Sequence, residues 1–159
     1  LFSSIVARYQ GDLRLYLGNV TPLDRKVRAA IYALLAEGST DVDVRLVAER
    51  GGWDIDDVAL SFANLSREHR VVLTSASDRV WMAHPFSGLP TPYTAEIGER
   101  SWFANCAWDA LAILALLGDG VARGEDALVW NVVEGVVSPD GLVHLLVPAR
   151  SFWDDIGFT

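Results

Sequence analysis

Apolar residues recur along this chain with two different periods, and the change of period divides it. In residues 1–17, Phe2, Ile5, Val6, Tyr9, Leu13 and Tyr16 follow a roughly helical spacing, interrupted by Gly11. Thr21-Pro22 is a helix start, a hydroxyl N-cap followed by proline in the first turn. Leu23, Val27, Ala30, Ile31, Leu34 and Leu35 continue one apolar face, and Gly38 ends it. Asp41 or Asp43 caps a short helix over 44–50, closed by Gly51-Gly52. Asp54 caps a third helix, with Ile55, Val58, Leu60, Phe62 and Leu65 as its apolar positions. The period then falls to two. Residues 70–74 and 79–83 predict short strands about a turn at 75–78. Three helices followed by a hairpin predict a winged-helix-like domain over 1–84.

Residues 85–92, Pro-Phe-Ser-Gly-Leu-Pro-Thr-Pro, read as an extended linker. Beyond it, 93–97 and 101–103 predict strands around Gly98-Glu99. A helix opens near Asn105, runs to about 117 and stops at Gly118. Strands over 129–137 and 142–147 flank the turn signal Ser138-Pro-Asp-Gly141. The fold class expected is α+β: the helical domain, the Pro-rich linker over 85–92, and a small mixed α/β domain over 93–159.

Composition narrows the function. The chain is 51% hydrophobic and 21% charged, which is ordinary for a globular protein. Its net charge of −8 argues against nucleic acid and anionic membranes as partners, since both call for a basic face. The third helix opens Asp54-Ile-Asp-Asp57, placing carboxylates where a DNA reader needs phosphate contacts. No apolar run approaches the roughly 18 residues of a membrane helix. A single cysteine cannot form an intrachain disulfide, so a reducing cytoplasm is the simplest setting. The chain opens without Met and closes on what reads as the start of an element, so both native ends are expected to lie outside it.

The chemistry centres on that cysteine. Cys106 and Asp109 stand at i and i+3 and share a helix face. A thiol in the first turn meets unpaired backbone N–H groups, which favour an anion and lower its pKa. The competing reading of a lone cysteine is a buried small hydrophobe. Asp109 precedes the apolar run Ala110-Leu-Ala-Ile-Leu-Ala-Leu-Leu117, where a carboxylate needs a reason: a local cap, or a proton carrier whose acid form burial favours. Trp102, Phe103 and Trp108 flank the pair, as core packing or as the wall of a dry substrate pocket. His69, His84 and His144 are scattered, so a Cys–His pairing arises only through the fold. Asp154-Asp155 reads as a metal pair or a solvated turn.

Phe86-Ser-Gly-Leu-Pro-Thr-Pro92, Trp102-Phe-Ala-Asn-Cys-Ala-Trp-Asp-Ala-Leu111, Val147-Pro-Ala-Arg150 and Phe152-Trp-Asp-Asp-Ile-Gly-Phe158 together resemble the alkylmercury (organomercurial) lyase family over most of the chain. The resemblance implies cleavage of a carbon–mercury bond without a resident cofactor. Hg(II) is then the bound product, passed to a mercuric reductase. It implies Cys106 as the thiolate that captures mercury and Asp109 as the donor of a proton to the leaving carbon. Mercury is soft and prefers thiolate, which agrees with the residue types. The family's second catalytic cysteine falls around or just past Thr159, and this chain carries none. Two alternatives stay open: a non-catalytic protein holding a soft metal or a small apolar ligand through Cys106, and a thiol-sensing winged-helix regulator.

Overall fold

The computed structural model describes residues 20–139 together with Ser151, Trp153 and Asp154. The expected helix over 1–17, the strand over 142–147, His144, the turn through Gly141 and Asp155 lie outside the described residues. The fold is mixed α+β, with four α-helices and two antiparallel sheets among the described residues.

Helix α1 (Pro22–Ala36) begins at Thr21, whose hydroxyl accepts the Asp24 N–H while Asp24 accepts the Thr21 N–H, a complete capping box. Helix α2 (Val44–Gly51) is capped by Asp43, which accepts the Leu46 N–H, and ends on Gly52 in the left-handed conformation. Helix α3 (Ile55–Arg67) is capped by Asp54. All three starts agree with the sequence expectation, because a cap is a local hydrogen-bonding problem. The three helices bury Val27, Ile31, Val47, Val58, Phe62 and Leu65 against one another. Leu60 and Ile55 were expected in that face but are exposed; α3 buries Ser61 with Val58, Phe62 and Leu65. Residues 58, 61, 62 and 65 form one stripe at helical spacing, and Leu60 falls outside it.

Strands β1 (Val72–Leu73), β2 (Val80–Ala83) and β3 (Phe86–Ser87) form the first sheet in that order. The stretch 85–92, expected as a linker, is extended but not free of the folded body. Phe86 and Ser87 pair with Ala83 and Met82 and are buried, and Phe86 also bridges Ala104. Gly88 follows where a Cβ would lie 2.2 Å from the Val80 carbonyl oxygen, so the glycine permits this close approach.

The second sheet runs in the order β5 (Arg100–Phe103), β4 (Thr94–Ile97), β6 (Gly120–Arg123), β7 (Val129–Val133), β8 (Val136–Ser138). Helix α4 (Ala107–Leu117) packs on β4 and β6. Ala95 and Ala122 are register partners, both fully buried, and their small side chains let Ala110, Ile113 and Leu114 come down onto the sheet. The single strand expected over 129–137 is two strands. Glu134 and Gly135 both have positive φ (51° and 74°), and Val133 pairs with Val136, which makes a two-residue hairpin turn. No helix among the described residues is long and apolar enough to cross a membrane.

Candidate functional site

The segment after β5 sets the site. Ala104 is held by its N–H to the Tyr93 carbonyl at 2.9 Å and by its own carbonyl, which accepts the Thr91 hydroxyl at 2.6 Å. The chain then leaves the sheet at Asn105 and enters α4. Cys106 stands one residue earlier than expected: it is the N-cap, in extended backbone, and its carbonyl accepts the Ala110 N–H at 3.0 Å. Its sulfur is half-buried and makes no capping hydrogen bond. Asp109, in the first turn, is buried.

Asp109 is not a local cap. Its Oδ2 accepts hydrogen bonds from Asn105 Nδ2 at 2.9 Å and pairs with His84 Nδ1 at 3.1 Å. Asn105 Nδ2 also lies 3.3 Å from the Pro85 carbonyl oxygen and 3.2 Å from that of Phe86. These contacts orient the amide, with its nitrogen toward three acceptor oxygens and 3.4 Å from His84 Nδ1, and with Oδ1 buried without a partner. His84 follows directly on β2 and is anchored through its carbonyl, which accepts the Tyr32 hydroxyl of α1 at 3.0 Å. Its side chain is 48% exposed and that of Asp109 is 11% exposed, so the pair links solvent to a buried carboxyl group.

The electrostatics of Cys106 reverse the sequence expectation. Its pKa is raised, not lowered. Burial is the main cause, and the negative charge and hydrogen bonding of Asp109 add to it. The backbone N–H groups of Asp109 and Trp108 oppose the shift without overcoming it. Thus the helix opening acts on the sulfur as expected, but desolvation is larger. Tyr93 belongs to the same neighbourhood. Its phenol pKa is pushed up by burial, then by the charges of Glu125 and Cys106.

The aromatic residues separate. Trp102 is buried, and its Nε1–H donates to the Ala36 carbonyl at the end of α1 at 3.0 Å. The Arg100 guanidinium lies 4.7 Å from its ring centre. Trp102 and the half-buried Phe103 line a cavity of about 10 Å³ on the side of Leu35 and Gly38. Trp108 points outward and is 61% exposed. His69 stacks on Trp153, 4.2 Å between ring centres. Among the described residues no three His, Cys, Asp or Glu side chains gather as a metal site, and Cys106 is the soft donor of the cluster. The structure therefore brings together Cys106 and Asp109, as expected. It adds Asn105, His84 and Tyr93, which sequence spacing does not single out.

The comparisons with known proteins bear on this same stretch. The family model described as alkylmercury lyase, MerB, matches residues 86–129. No curated protein matches the chain. Among solved structures, the chain is similar to the one described as the crystal structure of the mercury-bound form of MerB2, with a TM-score of 0.60 and 20% identity. That likeness covers 80% of this chain and 65% of the other, so the chain spans about two-thirds of the length of that protein. At this identity it establishes a shared fold. Cys106, Asp109 and Asn105 thus lie in a segment similar in sequence to the alkylmercury lyases, on a fold shared with a mercury-bound MerB2, while His84 stands just outside that segment.

Proposed function

We propose that the protein is an organomercurial lyase-like enzyme that breaks a carbon–mercury bond by protonolysis. The observation that carries this reading is the pairing of a half-buried thiol with a buried carboxyl group at the opening of α4, inside the segment similar to alkylmercury lyases. Burial and the Asp109 charge keep the thiol protonated near neutral pH. When R–Hg⁺ binds the sulfur, the thiol proton passes to the adjacent carboxylate. A second thiolate then adds to mercury and donates charge to it, weakening the carbon–mercury bond. Asp109 returns the proton to the carbon, the bonding pair goes with the carbon, and R–H leaves. Hg(II) stays on the two sulfurs. Cys106 is the single cysteine of residues 1–159, so the second thiolate comes from outside them: from the second cysteine that the family resemblance places around or just past Thr159, or from a small thiol. A mercuric reductase is the fitting recipient of the ion, which needs no resident cofactor for its release.

The test is incubation with phenylmercury acetate and excess small thiol, with benzene measured. Benzene no greater than that from Cys106→Ala sinks the reading. Asp109→Asn is expected to retain mercury and lose turnover; equal turnover removes Asp109 from the mechanism.

The single cysteine favours one alternative, a binding protein on the same fold that holds a soft metal or a small apolar ligand through Cys106. Retention of Hg(II) without benzene release supports it. For the N-terminal part we propose a winged-helix-like arrangement. It is supported by α1, α2 and α3 followed by the β1–β2 hairpin, and by the Val80 N–H donating to the Val42 carbonyl between α1 and α2. The three carboxylates that open α3 speak for packing rather than DNA binding, and hence against the regulator.

A further inference from the structure

The proposed reaction asks one thing of Asp109 that the pair alone does not supply. The acid proton must sit on the oxygen nearer the reacting carbon, and the carboxylate left behind must be stabilised. Asn105 and His84 both converge on one oxygen, Oδ2, at 2.9 and 3.1 Å. The Asn105 amide is held by the Pro85 and Phe86 carbonyls with its nitrogen inward, so it donates. The same carboxylate oxygen facing His84 makes Nδ1 the protonated ring nitrogen. An oxygen that accepts two N–H bonds is occupied as an acceptor. The proton of the acid form is therefore directed to Oδ1. When that proton leaves, both bonds become bonds to an anion, and charge-assisted hydrogen bonds are the stronger kind.

We infer that His84 is a positioning residue for the protonolysis: its Nδ1–H, with Asn105, fixes which Asp109 oxygen delivers the proton and stabilises the carboxylate that forms. This rests on the lyase reading above. The gain appears as the proton departs, so it belongs to the turnover step and not to substrate capture. The imidazole is anchored for this role, since the Tyr32 hydroxyl holds the His84 carbonyl and Met82 and Ala83, just before it, are paired with β3.

The experiment uses the whole chain with phenylmercury acetate and excess small thiol. His84→Phe keeps a flat ring and removes the donor. It is expected to lower kcat by about 10- to 100-fold, the worth of one hydrogen bond to a charged group, with KM within about twofold. His84→Asn places an amide N–H where Nδ1 stands and is expected to recover most of the loss. Wild-type kcat in His84→Phe, or a rise in KM alone, overturns the inference; so does a His84→Asn variant as slow as His84→Phe. The imidazole ¹⁵N spectrum decides the geometry without turnover. Nδ1 of His84 is expected to carry a proton in the wild type and to respond to Asp109→Ala. An unprotonated Nδ1, or no response, overturns the inference even where benzene is released. Absence of benzene from the wild type with the expected spectrum refutes the lyase reading and, with it, a role for His84 in protonolysis, while leaving the hydrogen bond established.

Discussion

Trp102 and Trp108 stand six residues apart on either side of the thiol, and the structure assigns them opposite fates. The informative perturbation is Trp102→Phe. The indole Nε1–H is lost from the Ala36 carbonyl, which still accepts from Arg100 at 2.9 Å. Losing that bond costs about 0.5–1.5 kcal/mol, toward the lower end because Ala36 keeps a partner. The smaller ring also enlarges the small cavity that Trp102 already lines, adding roughly 1 kcal/mol. A total near 2 kcal/mol lowers Tm by about 4–8 °C for a chain of this size. Trp108→Ala, at an exposed position, is expected to stay within about 0.5 kcal/mol of wild type. Circular dichroism melts read the stability, and benzene release gives KM and kcat. The reasoning holds if Trp102→Phe melts early with KM for phenylmercury unchanged. An unaltered Tm with KM raised several-fold refutes it, because Trp102 then lines the substrate site instead of closing the seam between α1 and β5.

Two further perturbations test the local chemistry. Asp24 is buried. Burial by itself would raise its pKa, but hydrogen bonds from the Thr21 N–H, Ser61, Asn64 and the Thr21 hydroxyl outweigh it and hold the value below the ordinary 3.8. A depressed folded-state pKa gives stability that is complete above the unfolded value and lost as pH falls through the folded one. Asp24→Ala is thus expected to cost about 1–2 kcal/mol near neutral pH through the lost cap, and to shrink the acid-induced loss below pH 3.8; equal acid midpoints contradict this. Cys106 is pushed up by burial first and by the Asp109 charge after it. Alkylation by iodoacetamide is therefore expected to rise with pH above the range of a free thiol. Asp109→Asn removes the charge but keeps the backbone N–H, so the profile should move to lower pH; a move upward, or none, refutes the assigned coupling.

What was legible in the sequence was what neighbours in the chain decide. Thr21, Asp43 and Asp54 cap because their side chains reach N–H groups two or three residues away. The Cys106–Asp109 pairing is legible for the same reason, since three residues of helix carry both. The strand break at Glu134-Gly135 is local too, but Glu is a weak signal for the positive φ that both turn positions adopt. The sign of the thiol shift is a different matter. The helix opening is a sequence-local effect, whereas desolvation depends on what packs over the sulfur, and here the packing wins.

His84 is the sharpest case of that distinction. It lies 25 residues before Asp109, and no spacing rule joins a strand end to a helix start across that interval. The join is made by Phe86, whose pairing with Ala83 and bridge to Ala104 fasten β3, the edge of the first sheet, to the segment that leads into α4. The proline-rich stretch that reads as a linker therefore has a catalytic consequence under the proposed mechanism. By packing instead of crossing solvent, it brings the end of β2 over the opening of α4, and the Pro85 and Phe86 carbonyls orient the Asn105 amide toward the same carboxylate oxygen as the imidazole. A substitution that loosened β3 without touching Cys106, Asp109 or His84 would then act on the acid, because the geometry of the proton donor is set by the strand beside it.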